Sequence, residues 1–173
     1  MENQLAALDV SKNTKLELLV CRGNKLSSLS LENNPLLYGV YCDDNNLTKL
    51  DLQKNELVEY LYCTNNQIAE LKVGNCKKLL RASVSKNKLT ALNLATCPRL
   101  AVLECDDNQI SELNLSANTR LTGLTCLRNP MKDLDLSRNL MLTELYCNKD
   151  LNVTGYPGMR QEAHTDDWAD GLY

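Results

Sequence analysis

LYGVYCDDNNLTKLDLQKN, residues 37–55, is the stretch of sequence that decides the fold. Apolar residues recur at every second position in two short segments, Val40-x-Cys42 and Leu50-x-Leu52. A period of two is typical of β-strands, and neither segment is long enough for an ordinary helix. Turn-forming asparagine residues follow each segment. The stretch therefore predicts two short strands separated by turns.

The same pattern recurs every 21 residues along the chain, with no insertion or deletion between residues 5 and 151. One apolar column contains Leu8, Leu29, Leu50, Leu71, Leu92, Leu113 and Leu134. A cysteine column contains Cys21, Cys42, Cys63, Val84, Cys105, Cys126 and Cys147. An asparagine column contains Asn24, Asn45, Asn66, Asn87, Asn108 and Asn129, and ends in Asp150. Because a single coil cannot bury its own leucines, the period predicts a stack of seven coils with one continuous core.

Each coil reads L-x-x-L-x-C-x-x-N-x-L, followed by x-x-L-x-L-x-x-N. This pattern resembles the bacterial 21-residue class of the leucine-rich-repeat family over residues 5–151. The resemblance implies a right-handed, helix-poor solenoid of seven coils, with two short parallel strands in each coil. The E3-ligase effector class is less similar, because its leucine-proline start is missing here.

The two ends of the chain lead to different expectations. Residues 1–151 are predicted to form the solenoid, whereas residues 152–173 break the register. We expect this tail to be a cap over the last coil, with His164 and Trp168 as parts of the cap, and the alternative is a linker. The first coil begins by Leu5 with no comparable cap. An open sheet edge there favours removed upstream sequence, and it also allows self-association.

Composition and charge exclude several classes of function. The 173 residues carry a net charge of −3, and the acidic tail accounts for all of it. The solenoid is then formally neutral, and it lacks the basic surface that a nucleic-acid binder needs. No apolar run approaches the roughly 18 residues of a membrane span, and no basic amphipathic stretch is present. We therefore expect no nucleic-acid partner and no membrane insertion.

The asparagine columns are predicted to bond to buried backbone groups of neighbouring coils, because an amide both donates and accepts. A second turn column contains Asn13, Asn34, Asn55, Cys76, Cys97, Asn118 and Asn139. The family pattern accepts cysteine at this position, so Cys76 and Cys97 fit the resemblance.

The eight cysteines could form disulfides, a metal cluster or a catalytic thiol, or they could be small apolar fillers. We favour fillers, since no C-x-x-C pair occurs and the only histidine is in the tail. Many free thiols favour a reducing or anaerobic setting. Calcium at Asp43–Asn45 or Asp106–Asn108 is disfavoured, because the asparagines are needed inside the coil. No catalytic motif or cofactor motif appears, so we expect a protein that is not an enzyme and has no cofactor.

Function must then come from outward residues, since the inward ones form the core. Five of the seven tyrosines lie on or beside the face of the cysteine-bearing strands. Tyrosine on a rigid sheet is common at binding hot spots, although it also simply suits an exposed strand. The predicted partner-binding residues are Tyr38, Tyr41, Asp43, Glu59, Tyr60, Tyr62, Arg81 and Glu104.

Three functions remain open from the sequence. The leading one is recognition of a protein or a glycan through the cysteine-strand face. The alternatives are a structural spacer in a bacterial surface protein and the recognition domain of a larger effector enzyme. The family resemblance favours an extracellular or cell-surface location in a bacterium, and a cytoplasmic location is possible.

Overall fold

The computed structural model describes residues 3–156, and within that range it contains eleven strands and no helix. The strands are β1 (Leu18–Val20), β2 (Gly39–Tyr41), β3 (Lys49–Asp51), β4 (Tyr60–Tyr62), β5 (Glu70–Lys72), β6 (Arg81–Ser83), β7 (Val102–Glu104), β8 (Gly123–Thr125), β9 (Asp133–Asp135), β10 (Glu144–Tyr146) and β11 (Asn152–Thr154). None of the described residues forms a helix that is long and apolar enough to cross a membrane.

One strand from each coil joins a seven-stranded parallel sheet, which we call the front sheet. Its order is β1-β2-β4-β6-β7-β8-β10. Every pairing joins residues 21 apart, such as Leu19 with Val40 and Val40 with Leu61. The predicted coil period is therefore the register of the sheet, and the predicted parallel solenoid is confirmed.

The second face of the solenoid is less regular than the front sheet. Sequence alternation predicts a strand there in every coil, but pairing occurs only between β3 and β5 and between β9 and β11. Of the inward leucines in the four unpaired coils, Leu29, Leu92 and Leu113 are buried all the same, and Leu8 of the first coil is half-buried. Burial of an apolar column needs only side-chain packing, whereas a ladder also needs the backbones to approach to about 4.8 Å.

The end of the described chain departs from the 21-residue register. β11 pairs with β9 through Val153 and Leu134, a separation of 19 residues. Val153 and Tyr156 pack against the core. The predicted boundary at residues 151 and 152 and the predicted cap stay predictions, because 157–173, including His164 and Trp168, lie outside the described residues.

The core is a single cluster that runs through all the coils. The leucine, valine and isoleucine columns supply most of it, and all eight cysteines belong to it. Leu50, Leu61 and Leu103 are at most 1 % exposed. Each coil thus buries its apolar residues against its neighbours, as the repeat predicts.

The first asparagine column bonds each coil to the one before it. Asn66 Oδ1 accepts a hydrogen bond from Leu47 N at 3.0 Å, and its Nδ2 donates to the carbonyls of Cys42 and Cys63. The same acceptor contact recurs at Asn24, Asn45, Asn87, Asn108 and Asn129. Both functions of the amide are used, which confirms the predicted structural role.

The second turn column uses only the donor half of the amide. Asn55 Nδ2 donates to the carbonyls of Leu31 and Asn34. No hydrogen bond reaches the buried Oδ1 atoms of Asn34, Asn55, Asn118 and Asn139 from the described residues. A thiol is also a donor, and Cys76 Sγ donates to Val73 O at 2.7 Å. This is the physical reason why cysteine replaces asparagine in this column.

A third column has an unusual backbone conformation. Gly23 has a φ of 62°, and the equivalent residues of the next coils, 21 apart, have φ between 52° and 54°. They are Asp44, Asn65, Lys86, Asp107 and Arg128. Left-handed backbone is unfavourable for a residue with a Cβ, least so for asparagine and aspartate. The repeating turn imposes this conformation on lysine and arginine as well.

The N-terminal edge of the front sheet is formed by β1, which pairs only with β2 in the described chain. The side chains of Leu18 and Val20 on this edge strand are 40 % and 62 % exposed. The turn of the first coil is partly covered, because Lys25 N donates to Leu5 O and Asn3 N donates to Gly23 O. Self-association at this edge stays a prediction.

Candidate functional site on the front sheet

The candidate site lies where β2 and β4 pair side by side in the front sheet. In this pairing Tyr41 stands opposite Tyr62, and Gly39 stands opposite Tyr60. A Cβ at position 39 would lie 2.9 Å from the ring of Tyr41. The absent side chain at Gly39 therefore gives the Tyr41 ring room to lie close to the sheet.

The rings of Tyr41 and Tyr62 stack on each other, with centroids 4.9 Å apart and an angle of 13° between their planes. The guanidinium of Arg22 lies 4.7 Å from the centroid of Tyr41 and 5.3 Å from that of Tyr62. The guanidinium of Arg81 lies 5.8 Å from the centroid of Tyr62. Both cations are within the range of cation–π attraction. We call Arg22, Tyr41, Tyr62 and Arg81 the tyrosine stack.

A carboxylate holds each arginine of the tyrosine stack. Arg22 Nε lies 2.7 Å from Asp43 Oδ2, and Arg81 forms an ion pair with Glu104. Asp43 is itself fixed, because its Oδ1 accepts a hydrogen bond from Thr64 N at 3.0 Å. The stack is thus closed at both ends by paired charges and is organised before any partner arrives.

Burial sets the protonation of two of these groups. It raises the pKa of the Tyr41 hydroxyl, and the neighbouring Tyr62 raises it further. The hydroxyl therefore stays protonated at neutral pH and can donate a hydrogen bond. Burial also raises the pKa of the Asp43 carboxyl, and this effect outweighs the opposing hydrogen bond from Thr64 and the charge of Arg22.

Of the predicted site residues, Tyr41, Asp43, Tyr62, Arg81 and Glu104 come together in this arrangement. Tyr38 and Tyr60 lie near enough to Tyr41 to affect the pKa of its hydroxyl. Tyr38 is 39 % exposed and Glu59 is half-buried. Whether any of these residues contacts a partner stays a prediction.

Sequence reasoning missed Arg22, which contacts both rings and Asp43. The available signal was its column, since Arg22 precedes Asp43 by 21 residues and has the opposite charge. Ser83 follows Tyr62 by one coil period and so shares its column of outward residues, but it is only 3 % exposed. Its hydroxyl lies 2.9 Å from that of Thr64, so it braces the strand next to the stack and offers little surface.

The two acidic turns considered for calcium use their carboxylates inside the protein. Asp106 Oδ2 accepts a hydrogen bond from Thr125 Oγ1 at 2.8 Å, and its Oδ1 accepts one from Leu127 N. Asp43 is used in the same way by Thr64 N. Among residues 3–156, no group of three or more histidine, cysteine or acidic residues could hold a metal ion.

The cysteines offer no reactive thiol. None of the eight forms a disulfide, and all are buried. Burial raises the pKa of Cys21 to about 11 and that of Cys76 to about 12, and it also raises the pKa of the thiols in the middle of the front column. The thiolate form that would act as a nucleophile is therefore strongly disfavoured at neutral pH. Packing accounts for the cysteine column without any chemistry.

Three solved structures of bacterial proteins share this architecture. The functional domain of InlJ from Listeria monocytogenes, described as including a cysteine ladder, is 32 % identical with a TM-score of 0.71 over 87 % of this chain and 38 % of its own. A Leptospira interrogans leucine-rich-repeat protein is 18 % identical, with a TM-score of 0.64 over 91 % of this chain and 54 % of its own. The internalin InlF from Listeria monocytogenes is 20 % identical, with a TM-score of 0.53 over 91 % of this chain and 64 % of its own.

The 21-residue register and the helix-free parallel solenoid, shared with the 32 % identical InlJ domain, show that the chain belongs to the leucine-rich-repeat family and has a 21-residue coil. No family model and no curated protein matches the sequence. The chain spans 38 % to 64 % of the length of the three solved proteins.

Proposed function

We propose that this chain is a non-enzymatic recognition scaffold that binds a protein partner through the front sheet, with the tyrosine stack at the centre of the contact. The observation that carries the proposal is the stack itself, in which two tyrosines and two arginines are held in place by Asp43 and Glu104. Tyrosine and arginine are enriched at the energetic centres of protein interfaces. A preorganised cluster also spends little conformational entropy on binding.

The sequence left a protein and a glycan equally open, and the geometry of the stack favours a protein. Sugar rings bind aromatic side chains mainly through the ring faces. Here Tyr41 and Tyr62 cover each other, and Arg22 and Arg81 lie over the rings as well. What remains for a partner is ring edges, phenolic hydroxyls and the outer part of the guanidinium groups. Hydrogen-bond acceptors and carboxylates of a protein surface match these groups.

The location we propose is the surface of a bacterium or its secreted material. Two of the structural neighbours are Listeria internalins, which supports this choice over a cytoplasmic location. The eight buried cysteines, none of them in a disulfide, indicate either that the setting is reducing or anaerobic or that burial protects the thiols from oxidation. A spacer function is less favoured, because a spacer gains nothing from a paired and stacked aromatic cluster on one face.

The test begins by screening the chain against purified extracellular proteins and a glycan array, and then measures affinities for the protein found. The Tyr41→Ala/Tyr62→Ala variant removes the stacked rings. The matched control, Lys49→Ala/Glu70→Ala, removes two outward side chains that face each other on the second sheet without changing the net charge. If each tyrosine contributes about 1–2 kcal/mol, the tyrosine variant should bind roughly a hundredfold more weakly.

Thermal melting of both variants shows whether the fold is kept. Binding by the control should stay within about twofold of the unchanged chain. Unchanged binding by the tyrosine variant, or an equal loss in the control, contradicts a front-sheet site. A stronger response to glycans than to any protein, lost in the tyrosine variant, would keep the site but replace the proposed partner class.

A further inference from the structure

A row of cations occupies one turn in three consecutive coils. Lys78, Arg99 and Arg120 are separated by 21 residues, so they stand at the same position in successive coils. In each coil the turn is closed by a backbone hydrogen bond at 3.1 Å, from Leu79 N to Cys76 O and from its equivalents in the next two coils. Buried Leu79, Leu100 and Leu121 follow the cations and anchor these turns in the core.

Lys77 precedes Lys78 in the first of these turns, and all four cationic side chains are exposed. We call Lys77, Lys78, Arg99 and Arg120 the basic ridge. Successive coils are about 4.8 Å apart, so the three stacked rungs cover about 10 Å along the solenoid.

The segments of the basic ridge have no countercharge of their own, although Glu56 stands one coil before Lys77. Segments 74–81, 95–102 and 116–123, which carry the ridge and its neighbours, contain no aspartate or glutamate. None of the four cations forms an ion pair with any described residue. The ion pairs among the described residues lie elsewhere, as in Lys72 with Glu70 and Arg128 with Asp107.

Like charges stacked in the turns of adjacent coils repel each other, so the ridge destabilises the fold to a small degree. An anionic ligand that spans several coils would turn this repulsion into attraction. We propose that the basic ridge is a second binding site, separate from the tyrosine stack, and that its ligand is a linear acidic polysaccharide bearing sulfate or carboxylate groups.

The geometry favours a polysaccharide over an acidic peptide. In an extended peptide, side chains on one face are about 6.7 Å apart, which does not match the rungs of the ridge. In a polysaccharide with one anionic group per sugar, successive charges lie about one pyranose ring apart, which is close to the spacing of the coils. Arg99 and Arg120 can each bind a sulfate through two parallel hydrogen bonds.

A nucleic acid fits the ridge less well. Proteins that bind single strands without base readout combine cations with aromatic side chains on which the bases stack. The three ridge segments contain no tryptophan, tyrosine or phenylalanine. The positions on either side of the three stacked cations in the same row are apolar, with half-buried Leu57 in the third coil and exposed Met141 in the seventh. The cationic part is thus short and bounded, which suits a short run of sugars.

The test is isothermal titration calorimetry of the full chain with sulfated dextran oligosaccharide and with neutral dextran of the same length. The ridge variant is Lys78→Gln/Arg99→Gln/Arg120→Gln. The control variant, Lys49→Gln/Lys88→Gln/Lys132→Gln, removes the same charge from other exposed positions. The unchanged chain should bind only the sulfated dextran, and binding should weaken as salt is added.

The ridge variant should bind at least tenfold more weakly, and the control should stay within twofold. Tyr41→Ala/Tyr62→Ala should bind sulfated dextran normally, so this proposal can fail or succeed independently of the proposed function. If the ridge variant does not fold, Arg99→Gln alone should weaken binding about threefold. The proposal is overturned if sulfated dextran does not bind, if both triple variants lose affinity equally, or if polyglutamate or single-stranded DNA binds more tightly.

Discussion

Replacing Asn66 with cysteine should destabilise the protein far more than the same replacement at Asn55, although both asparagines are buried turn residues. Asn66 belongs to the column in which the amide both accepts and donates. Asn55 belongs to the column in which it only donates. The sequence already carries cysteine at two positions of the second column, Cys76 and Cys97. The comparison therefore isolates the acceptor function of one side chain.

The expected loss in the free energy of unfolding follows from the polar groups that would lose hydrogen-bond partners. In Asn66→Cys, the buried N–H of Leu47 loses its acceptor at 3.0 Å. The carbonyls of Cys42 and Cys63 each lose one donor but keep the amide of Asn45 or of Asn87. A buried donor left without a partner costs about 1–3 kcal/mol and the weakened carbonyl contacts cost about 1 kcal/mol more, so the expected loss of stability is about 2–4 kcal/mol. That is a large share of the roughly 5–15 kcal/mol that stabilises a typical domain.

In Asn55→Cys, the lost contacts are two donated hydrogen bonds, to Leu31 O and Asn34 O. A thiol at this position has one hydrogen to donate, as Cys76 donates to Val73 O at 2.7 Å. The Oδ1 atom that the substitution removes accepts no hydrogen bond from the described residues. We therefore expect a cost of about 1 kcal/mol or less, since one modest hydrogen bond is exchanged for a weaker one.

The assay is urea unfolding under reducing conditions, followed by circular dichroism, with the free energy of unfolding and the m-value fitted for both variants. Equal m-values show that the whole solenoid still unfolds as a unit, which repeat arrays do not always do. The reasoning is refuted if Asn66→Cys costs no more than Asn55→Cys. A large loss of stability at both positions would mean that a thiol replaces the asparagine amide poorly in both columns.

Three further predictions follow from the backbone and the thiols. Lys86→Gly should stabilise the protein by about 1 kcal/mol, because Lys86 has a φ of 54° and glycine adopts this backbone conformation without strain. The control Lys88→Gly should destabilise the protein, and equal effects of the two substitutions in denaturant melts would contradict the prediction. Gly74→Ala should cost at least about 2 kcal/mol, because φ is +65° and a Cβ would lie 2.6 Å from Gln53 Cα; Gly123→Ala, with its nearest atom at 3.8 Å, should be tolerated in the same melts. The buried thiols, including Cys21 with a pKa of about 11, should react slowly with a thiol reagent at pH 8 in the native protein. All eight should react after unfolding, and rapid reaction of most of them in the native protein would contradict the role of apolar filler.

Much of the fold was predictable because the sequence repeats a one-dimensional neighbour relation. In a solenoid each coil contacts mainly the coils before and after it, so residues 21 apart become neighbours. The pairing of Tyr41 with Tyr62 and the bond from Asn45 to the coil before it both follow from this rule. The same rule brought five of the eight predicted site residues into one arrangement.

The rest was not predictable from columns alone. A column shows that Arg22 and Asp43 are adjacent. A long arginine side chain can, however, contact several neighbouring side chains, and the free energies of these contacts differ by about 1 kcal/mol or less. Burial of Ser83 depends on how far the neighbouring side chains extend, which an alternation of inward and outward residues does not specify. The left-handed column was hidden for a similar reason, because lysine and arginine give no sign of a positive φ.

By itself the sequence determined the coil length, the parallel register, the buried columns and the structural role of the asparagines. Each of these features recurs from coil to coil, because every coil must bury the same apolar side chains and satisfy the same buried polar groups. The tertiary structure decided which outward side chains form the tyrosine stack, where the second face pairs into strands, and which cations on the basic ridge have no ion-pair partner among the described residues. Those outcomes depend on contacts of side chains across neighbouring coils, where small energies choose among several packings that the same repeat allows.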